Sequence, residues 1–169
     1  MGTAMENTHE ADRLPRLRAL LAEARFHTGA EAGTIFLREG DYLHFAVAEN
    51  DAFVERFGDE EARARLTGEP LSLGERSIAS FAVLTRSLVN IPDVYAIPPG
   101  RLYAFNPRFD MKNEYRTRSV LVAPLRNGRG AVLGVLQLIN RRTPQGDVVA
   151  FDDDSENVVR RLLEHWHRA

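Results

Sequence analysis

From Ala11 onward apolar residues recur at helical intervals. Leu14, Leu17, Leu21 and Ala24 fall on one stripe, while Arg13, Arg16, Arg18 and Glu23 take the other faces. Gly29 is the predicted stop. The period then shortens to that of strands. Residues 34–37 are followed by a turn at Glu39-Gly40-Asp41, after which Leu43, Phe45 and Val47 alternate with Tyr42, His44 and Ala46. Residues 51–68 are charged, with a short helix predicted from Asp59, whose carboxylate would cap the amides that follow. Ile78, Phe81, Leu84 and Thr85 share one face of a helix over roughly residues 77–85. Residues 87–91 read as a strand stopped by Pro92, which lacks the N–H a ladder needs.

Beyond Pro92, residues 95–112 carry Pro98-Pro99-Gly100 and Asn106-Pro107, the marks of a long surface crossover. Residues 118–125 and 131–140 flank Asn127-Gly128-Arg129-Gly130, a hairpin turn with glycines where positive φ is needed. Both of its strands are apolar at nearly every position, which predicts cover on both faces. After a loop over 141–150, Val158, Val159, Leu162, Leu163 and Trp166 line one stripe of a helix starting near Asp152. Asp152, Asp153 and Asp154 suit the positive end of its dipole. The element order predicts an α+β fold with a central antiparallel sheet of five or six strands. The N- and C-terminal helices pack on one face, and short helices and loops cover a ligand pocket on the other. Residues 1–10 are polar and aperiodic and are expected to be a disordered tail. Residues 11–169 form one domain.

Composition narrows the function classes. The 169 residues have a formal net charge of −2 and no long basic run, which argues against a dedicated nucleic-acid partner. No apolar stretch approaches the roughly 20 residues of a membrane helix, and the polar start lacks the apolar region of a signal peptide. A cytoplasmic location without membrane partners is the expectation. Cysteine is absent, which removes disulfides, thiolate metal sites and cysteine nucleophiles together. His44, His165 and His167 stand apart, without the spacing of a metal site, and no Ser-His-Asp set or Gly-rich phosphate loop stands out. No enzymatic activity, no metal and no required cofactor are expected.

More specific is the run from Ser77 to Glu156. Ile78-Ala79-Ser80, Asn90-Ile91-Pro92-Asp93-Val94-Tyr95, Tyr115-Arg116-Thr117-Arg118-Ser119, Leu133-Gly134-Val135 and Leu138-Ile139-Asn140-Arg141 follow one another in the order and spacing of a GAF domain. Ala48-Glu49-Asn50-Asp51 is similar to a run in bacterial members. The chain most resembles GAF domains of cyclic-nucleotide phosphodiesterases and their bacterial signalling relatives. That resemblance implies a small-molecule sensor in signal transduction, with cAMP or cGMP as the leading ligand. It also implies a relay of occupancy through the terminal helices, a homodimer through those helices, and an output domain in the same or a partner chain. The alternative is a dimerisation or partner-docking module of the same fold with a vestigial pocket.

The resemblance also implies site residues. Backbone amides of Ile78 and Ala79 open a helix and would receive a phosphate. Asp110, Asn113 and Thr117 correspond to lid positions that contact purine or ribose. Gln137 stands where relatives have a glutamate near the ligand, and Thr34 matches a small residue touching the base. The base-stacking aromatic of one relative aligns with Val47, so Phe45 or Phe109 would have to stack instead. The family signature reads Asn140, Arg141, Phe151, Ser155 and Glu156 and looks structural. Ser155 lacks the carboxylate that pairs with the basic residue, and Asp154 is expected to supply it.

Chemistry leaves some alternatives open. Gln137, polar within an apolar strand, either meets a ligand or bonds the crossover backbone. Arg116 and Arg118 clamp a phosphate or pair with surface acids. Asp93 caps a turn or contacts the ligand. Asp110 and Lys112 form a lid ion pair or a solvated one. His27 places charge near the negative end of the first helix dipole.

Overall fold

The computed structural model describes the backbone of residues 3–168 and the side chains of residues 12–166. Helix α1, Thr3–Thr28, is helical well before Ala11, so the segment read as a tail continues the helix from Thr3. Met1, Gly2 and the side chains before Asp12 lie outside the described residues. Extending an existing helix adds a hydrogen bond for each residue fixed, so weakly patterned residues follow a formed nucleus. Gly29 ends α1 at φ +76°, its amide donating to the Arg25 carbonyl at 2.9 Å.

Strands β1 (Ala30–Glu39) and β2 (Tyr42–Asn50) form a hairpin closed by Gly40 at φ +60°. Two short helices follow, α2 (Asp51–Phe57) and α3 (Asp59–Leu66). Sequence periodicity does not reveal α2, yet its cap is present: the Asn50 side chain accepts from the Phe53 amide at 3.2 Å. Asp59 does not cap α3. Gly58, at φ +79°, occupies that position, and Asp59 sits in the first turn, where a carboxylate still favours the dipole.

After β3 (Leu71–Ser72) comes α4 (Ile78–Thr85), capped by the Ser77 hydroxyl, which accepts from the Ser80 amide at 3.0 Å. Strand β4 (Val89–Ile91) leads to a 3₁₀ turn at Val94–Ala96. Asp93 caps that turn by accepting from the Tyr95 amide at 2.9 Å. Helix α5 (Arg108–Asn113), the hairpin of β5 (Val120–Arg126) and β6 (Val132–Arg142), β7 (Val148–Val149) and α6 (Asp153–Arg168) complete the chain.

The sheet runs β3-β2-β1-β6-β5-β4, all antiparallel, and the two-residue β7 adds a seventh strand beside β6 in the stretch read as a loop. Helices α1 and α6 cover one face, with Leu17, Leu21, Val159 and Leu163 packed on Ile35, Leu121, Leu136 and Leu138. On the other face α4 lays Ile78, Ala79, Ala82 and Val83 against Phe36, Val120, Val122 and Val135. Both faces of the hairpin are therefore covered, as its apolar strands predict. Each fully buried leucine of the helix layer contributes about 1.5–3 kcal/mol relative to exposure.

Candidate functional site: the sheet face under α4 and α5

The face of the sheet opposite α1 and α6 carries two polar side chains among apolar neighbours. Thr34 on β1 and Gln137 on β6 are direct register partners, and Val122 on β5 is the next neighbour of Gln137. Thr34 is buried and Gln137 half-buried, and neither side chain has a hydrogen-bond partner among the described residues. Gln137 thus does not bond the crossover backbone. Phe36 and Phe45 stand beside Thr34, their rings 4.6 Å apart and tilted by 57°.

Val47 lies elsewhere. A register shift between Ile35 and Phe36 leaves Ala46 unmatched on β2 and breaks the strict alternation of that strand. Val47 consequently pairs with Ile35 in the helix layer, while Phe45 pairs with Phe36 under α4. The expectation that Val47 lines the ligand side is corrected, and Phe45 is the aromatic that β2 presents there. Phe109 is committed elsewhere, stacked on Phe53 at 5.6 Å with 9° between the rings.

Ile78 and Ala79 open α4 with their side chains in the core. The crossover folds back over this helix start, where Ala104 donates to the Arg76 carbonyl at 2.7 Å and pairs with Ser77 as a parallel bridge. Tyr103 meets Phe81 at 4.9 Å, and Phe105 meets Tyr95 at 5.1 Å.

Asp110, Asn113 and Thr117 are brought together around α5. The buried Asp110 carboxylate accepts from the Tyr95 hydroxyl at 2.6 Å, the Thr117 amide at 2.9 Å and the Thr117 hydroxyl at 2.8 Å. Its partners are these groups, not Lys112. The hydrogen bond to Asp110, reinforced by desolvation, raises the Tyr95 phenol pKa. The Arg116 guanidinium lies 3.8 Å from the centre of the Tyr95 ring, a cation–π contact. Arg118 donates to the Val148 carbonyl at 2.9 Å, which ties it to the backbone and not to a surface acid. Asn113 donates to the Phe109 carbonyl at 3.0 Å and accepts from Arg65 at 3.2 Å.

The lid is held from below by α2. Phe53, fully buried, contacts Phe109, Phe57 and Tyr115, and the Arg65 guanidinium covers the Phe57 ring at 4.0 Å. Sequence reasoning missed this anchor. The readable signal was Asn50 three residues before Phe53, with Phe57 one helical turn further on.

Beside the lid lies a polar network centred on the buried Glu31, a residue that the sequence did not single out. Glu31 accepts from the Tyr115 hydroxyl at 2.5 Å and from Arg142 Nε at 2.7 Å, with a further bond from Arg142 Nη2. Asn140, in the left-handed region at φ +58°, bonds the Arg118 amide, the Tyr115 hydroxyl and the Arg116 carbonyl. Burial, and then the bond to Glu31, pushes the Tyr115 pKa far up, so this hydroxyl stays a proton donor. Burial works against the charge of Arg25, but Asp51 and Glu49 at 2.6 Å each outweigh it and raise its pKa.

The family signature divides: Asn140 belongs to the network beside the lid, and Arg141, Phe151, Ser155 and Glu156 tie the sheet to the start of α6. Arg141 pairs at 3.1 Å with Asp152, not with Asp154 as expected. Ser155 explains the substitution. Its hydroxyl and amide donate to Asp152 at 2.7 and 2.8 Å, fixing that carboxylate toward Arg141 and lowering its pKa, the hydroxyl contributing most. Phe151 is buried, and Asn90 bonds its carbonyl at 2.9 Å and Glu156 at 3.1 Å. A separate cleft of about 760 Å³ lies outside this face, where Arg25, Phe26, Glu49 and Glu55 border the end of α1. Among the described residues no three His, Cys, Asp or Glu side chains gather as a metal site. Nor is any helix among them long and apolar enough to cross a membrane.

A curled antiparallel sheet thus lies between paired terminal helices on one face and a covered polar face on the other. The chain belongs to the GAF domain family, whose model matches residues 12–165. GAF domains are small-molecule-binding sensory domains of signalling proteins. The chain is 28% identical over 149 residues to the cGMP-specific 3',5'-cyclic phosphodiesterase of Drosophila sechellia, an alignment covering 85% of this chain but 12% of that protein. The GAF domain/HD domain protein from Geobacter sulfurreducens superposes with a TM-score of 0.63 at 15% identity, over 92% of this chain and 89% of that one. The type II free methionine-R-sulfoxide reductase from Thermoplasma acidophilum shares the fold, with a TM-score of 0.57 at 17% identity over 89% and 86% of the two chains.

Proposed function

We propose that the chain binds a small molecule between the Thr34–Gln137 face and the cover formed by α4, α5 and the crossover, and that the ligand is a cyclic nucleotide, cGMP before cAMP. The observation that carries this reading is the Thr34–Gln137 pair. A hydroxyl and a carboxamide sit side by side in an otherwise apolar layer, bonded to no protein group and left for water or a ligand to bond. A purine edge supplies both a donor and an acceptor for such a pair. Phe45 offers an apolar wall beside it, and the amides of Ile78 and Ala79 at the start of α4 suit the cyclic phosphate. The likeness to a cGMP-specific phosphodiesterase favours the guanine ring. Asp110 and Thr117 act as the latch that keeps the cover closed.

In this reading the domain regulates and does not catalyse. Thiol chemistry of the kind that reduces a sulfoxide has no cysteine to use. Occupancy passes through α1 and α6 to an output domain, in a cytoplasmic homodimer joined by those helices. A second reading is favoured by one observation: Asp110 and Thr117 already satisfy each other. In that case the fold serves as a dimerisation or docking module with a vestigial pocket.

Thermal melting with cGMP, cAMP and cyclic dinucleotides separates the two. A ligand at 100 times its Kd adds about 2.7 kcal/mol of stability. A shift with cGMP that Gln137→Leu cuts to about half supports the sensor. No shift with any nucleotide leaves the docking module as the function.

A further inference from the structure

We propose that Glu31 is a positioning residue that ties the lid to the end of α1, so that opening the lid loosens the last turn of that helix. The inference rests on the reading of α5 as the cover of the ligand face. Tyr115 follows α5 directly, after Glu114 at φ +49° turns the chain. Its hydroxyl reaches 84 residues back to Glu31 Oε2 at 2.5 Å. Asn140 sits beside this bond, donating to the Tyr115 oxygen at 2.9 Å and to the same carboxylate oxygen at 3.4 Å. The other carboxylate oxygen belongs to Arg142.

From Glu31 the connection continues through the backbone. The Glu31 carbonyl accepts from Arg25 Nη2 at 2.9 Å, and the Ala30 carbonyl accepts from Arg25 Nε at 3.3 Å. Arg25 lies in the last turn of α1, and its own carbonyl receives the Gly29 amide that closes the helix. Lid, Tyr115, Glu31, Arg25 and α1 therefore form one chain of hydrogen bonds.

The physical consequence follows from burial. Glu31 is only 7% exposed, and moving Tyr115 away removes the closest donor from one oxygen of a buried carboxylate. That oxygen keeps only the long 3.4 Å bond from Asn140, which is unfavourable for a buried carboxylate, so water must follow, next to the carbonyls that hold Arg25. Glu49 and Asp51 keep their grip on Arg25, so the helix end loosens without detaching. The ring of Tyr115 also touches Phe53, which makes the hydroxyl, not the ring, the group to remove.

Amide hydrogen exchange on the full chain tests this without any ligand. Asp110→Asn weakens the latch at a place that does not touch Glu31. With Tyr115 intact, it is expected to speed exchange about 10-fold both in residues 108–117 and at the amides of residues 25–29. In a Tyr115→Phe background the lid still responds to Asp110→Asn, while residues 25–29 change less than about twofold. Glu31→Gln, which keeps the shape and removes the charge, gives a second measure and weakens the same coupling. Equal responses of residues 25–29 with and without the Tyr115 hydroxyl overturn the proposal. So does a helix end that stays still while the lid opens, or a lid that ignores Asp110→Asn. A cGMP melting titration run in parallel keeps the two readings apart. Coupling without a nucleotide shift rejects the ligand alone, and a nucleotide shift without coupling rejects Glu31 alone.

Discussion

The two faces of the sheet use the same strands for different ends. Toward α1 and α6 the layer is a close-packed cluster dominated by leucine and alanine, with Ile35 and Phe151. Toward α4 and α5 the apolar floor holds Thr34 and Gln137, and the cover is held by polar ties at Asp110, Asn113 and Glu31. Close packing gives the first face its stability, because filled volume resists deformation. The second face is tied by hydrogen bonds, which water can replace, and the proposed function uses that difference.

The separation of roles is open to direct attack, and the strongest attack is on the helix face. Leu138→Ala removes a fully buried side chain from that layer and is expected to cost about 3 kcal/mol in a urea titration, with any nucleotide affinity unchanged. A parallel loss of affinity would show that the faces are not separable.

Gly134→Ala comes next, at about 2 kcal/mol by the same measurement. A Cβ at Gly134 would stand 2.0 Å from the Phe36 carbonyl oxygen, so β1 and β6 must part at the place where β1 shifts register. On the opposite face Gln137→Leu should behave in reverse. Replacing an unpartnered carboxamide by a hydrocarbon leaves stability unchanged or raises it by up to about 1 kcal/mol, while cGMP binding in calorimetry falls about tenfold.

The smallest effect belongs to the signature. Ser155 holds the Asp152 pKa below its ordinary value, so this carboxylate stabilises the fold above its unfolded-state pKa and stops doing so as pH falls through the lowered one. Asp152 is 47% exposed, and solvent screening limits the gain to less than about 1 kcal/mol. Ser155→Ala should lose that amount at neutral pH in denaturant titrations and match the parent chain in strong acid. A difference that persists at low pH would assign Ser155 a packing role instead.

Much of the site was legible before any coordinates. Ile78-Ala79-Ser80, Tyr115 to Ser119 and Asn140-Arg141 carried the family, and Gln137 announced itself as a polar residue in an apolar strand. Asp93 as a turn cap and Ser77 as the helix start were also readable, since a short side chain needs only its next neighbours to make a cap. Glu31 was not. It sits in a short run of small and polar residues, and its partners Tyr115, Asn140 and Arg142 come from the far end of the chain. Helix α2 escaped for a related reason. Its buried surface is essentially Phe53, too little to produce a period, and its partner Phe109 lies 56 positions away.

Sequence alone determined the order of the longer elements, the β5–β6 hairpin, the paired terminal helices and the family. Those features rest on local periodicity, turn glycines and short motifs, which are properties of neighbouring residues. Tertiary structure decided which face Val47 meets, which acid Arg141 takes and where Glu31 leads. One unmatched residue on β2 inverts the side-chain order from that point on, and no pattern of period two announces it. Asp152 and Asp154 are the same residue type, and Asp152 is the one that Ser155 holds and Arg141 meets once α6 has docked. Such choices depend on sub-ångström geometry between segments far apart in the chain, and they exist only after the sheet has closed.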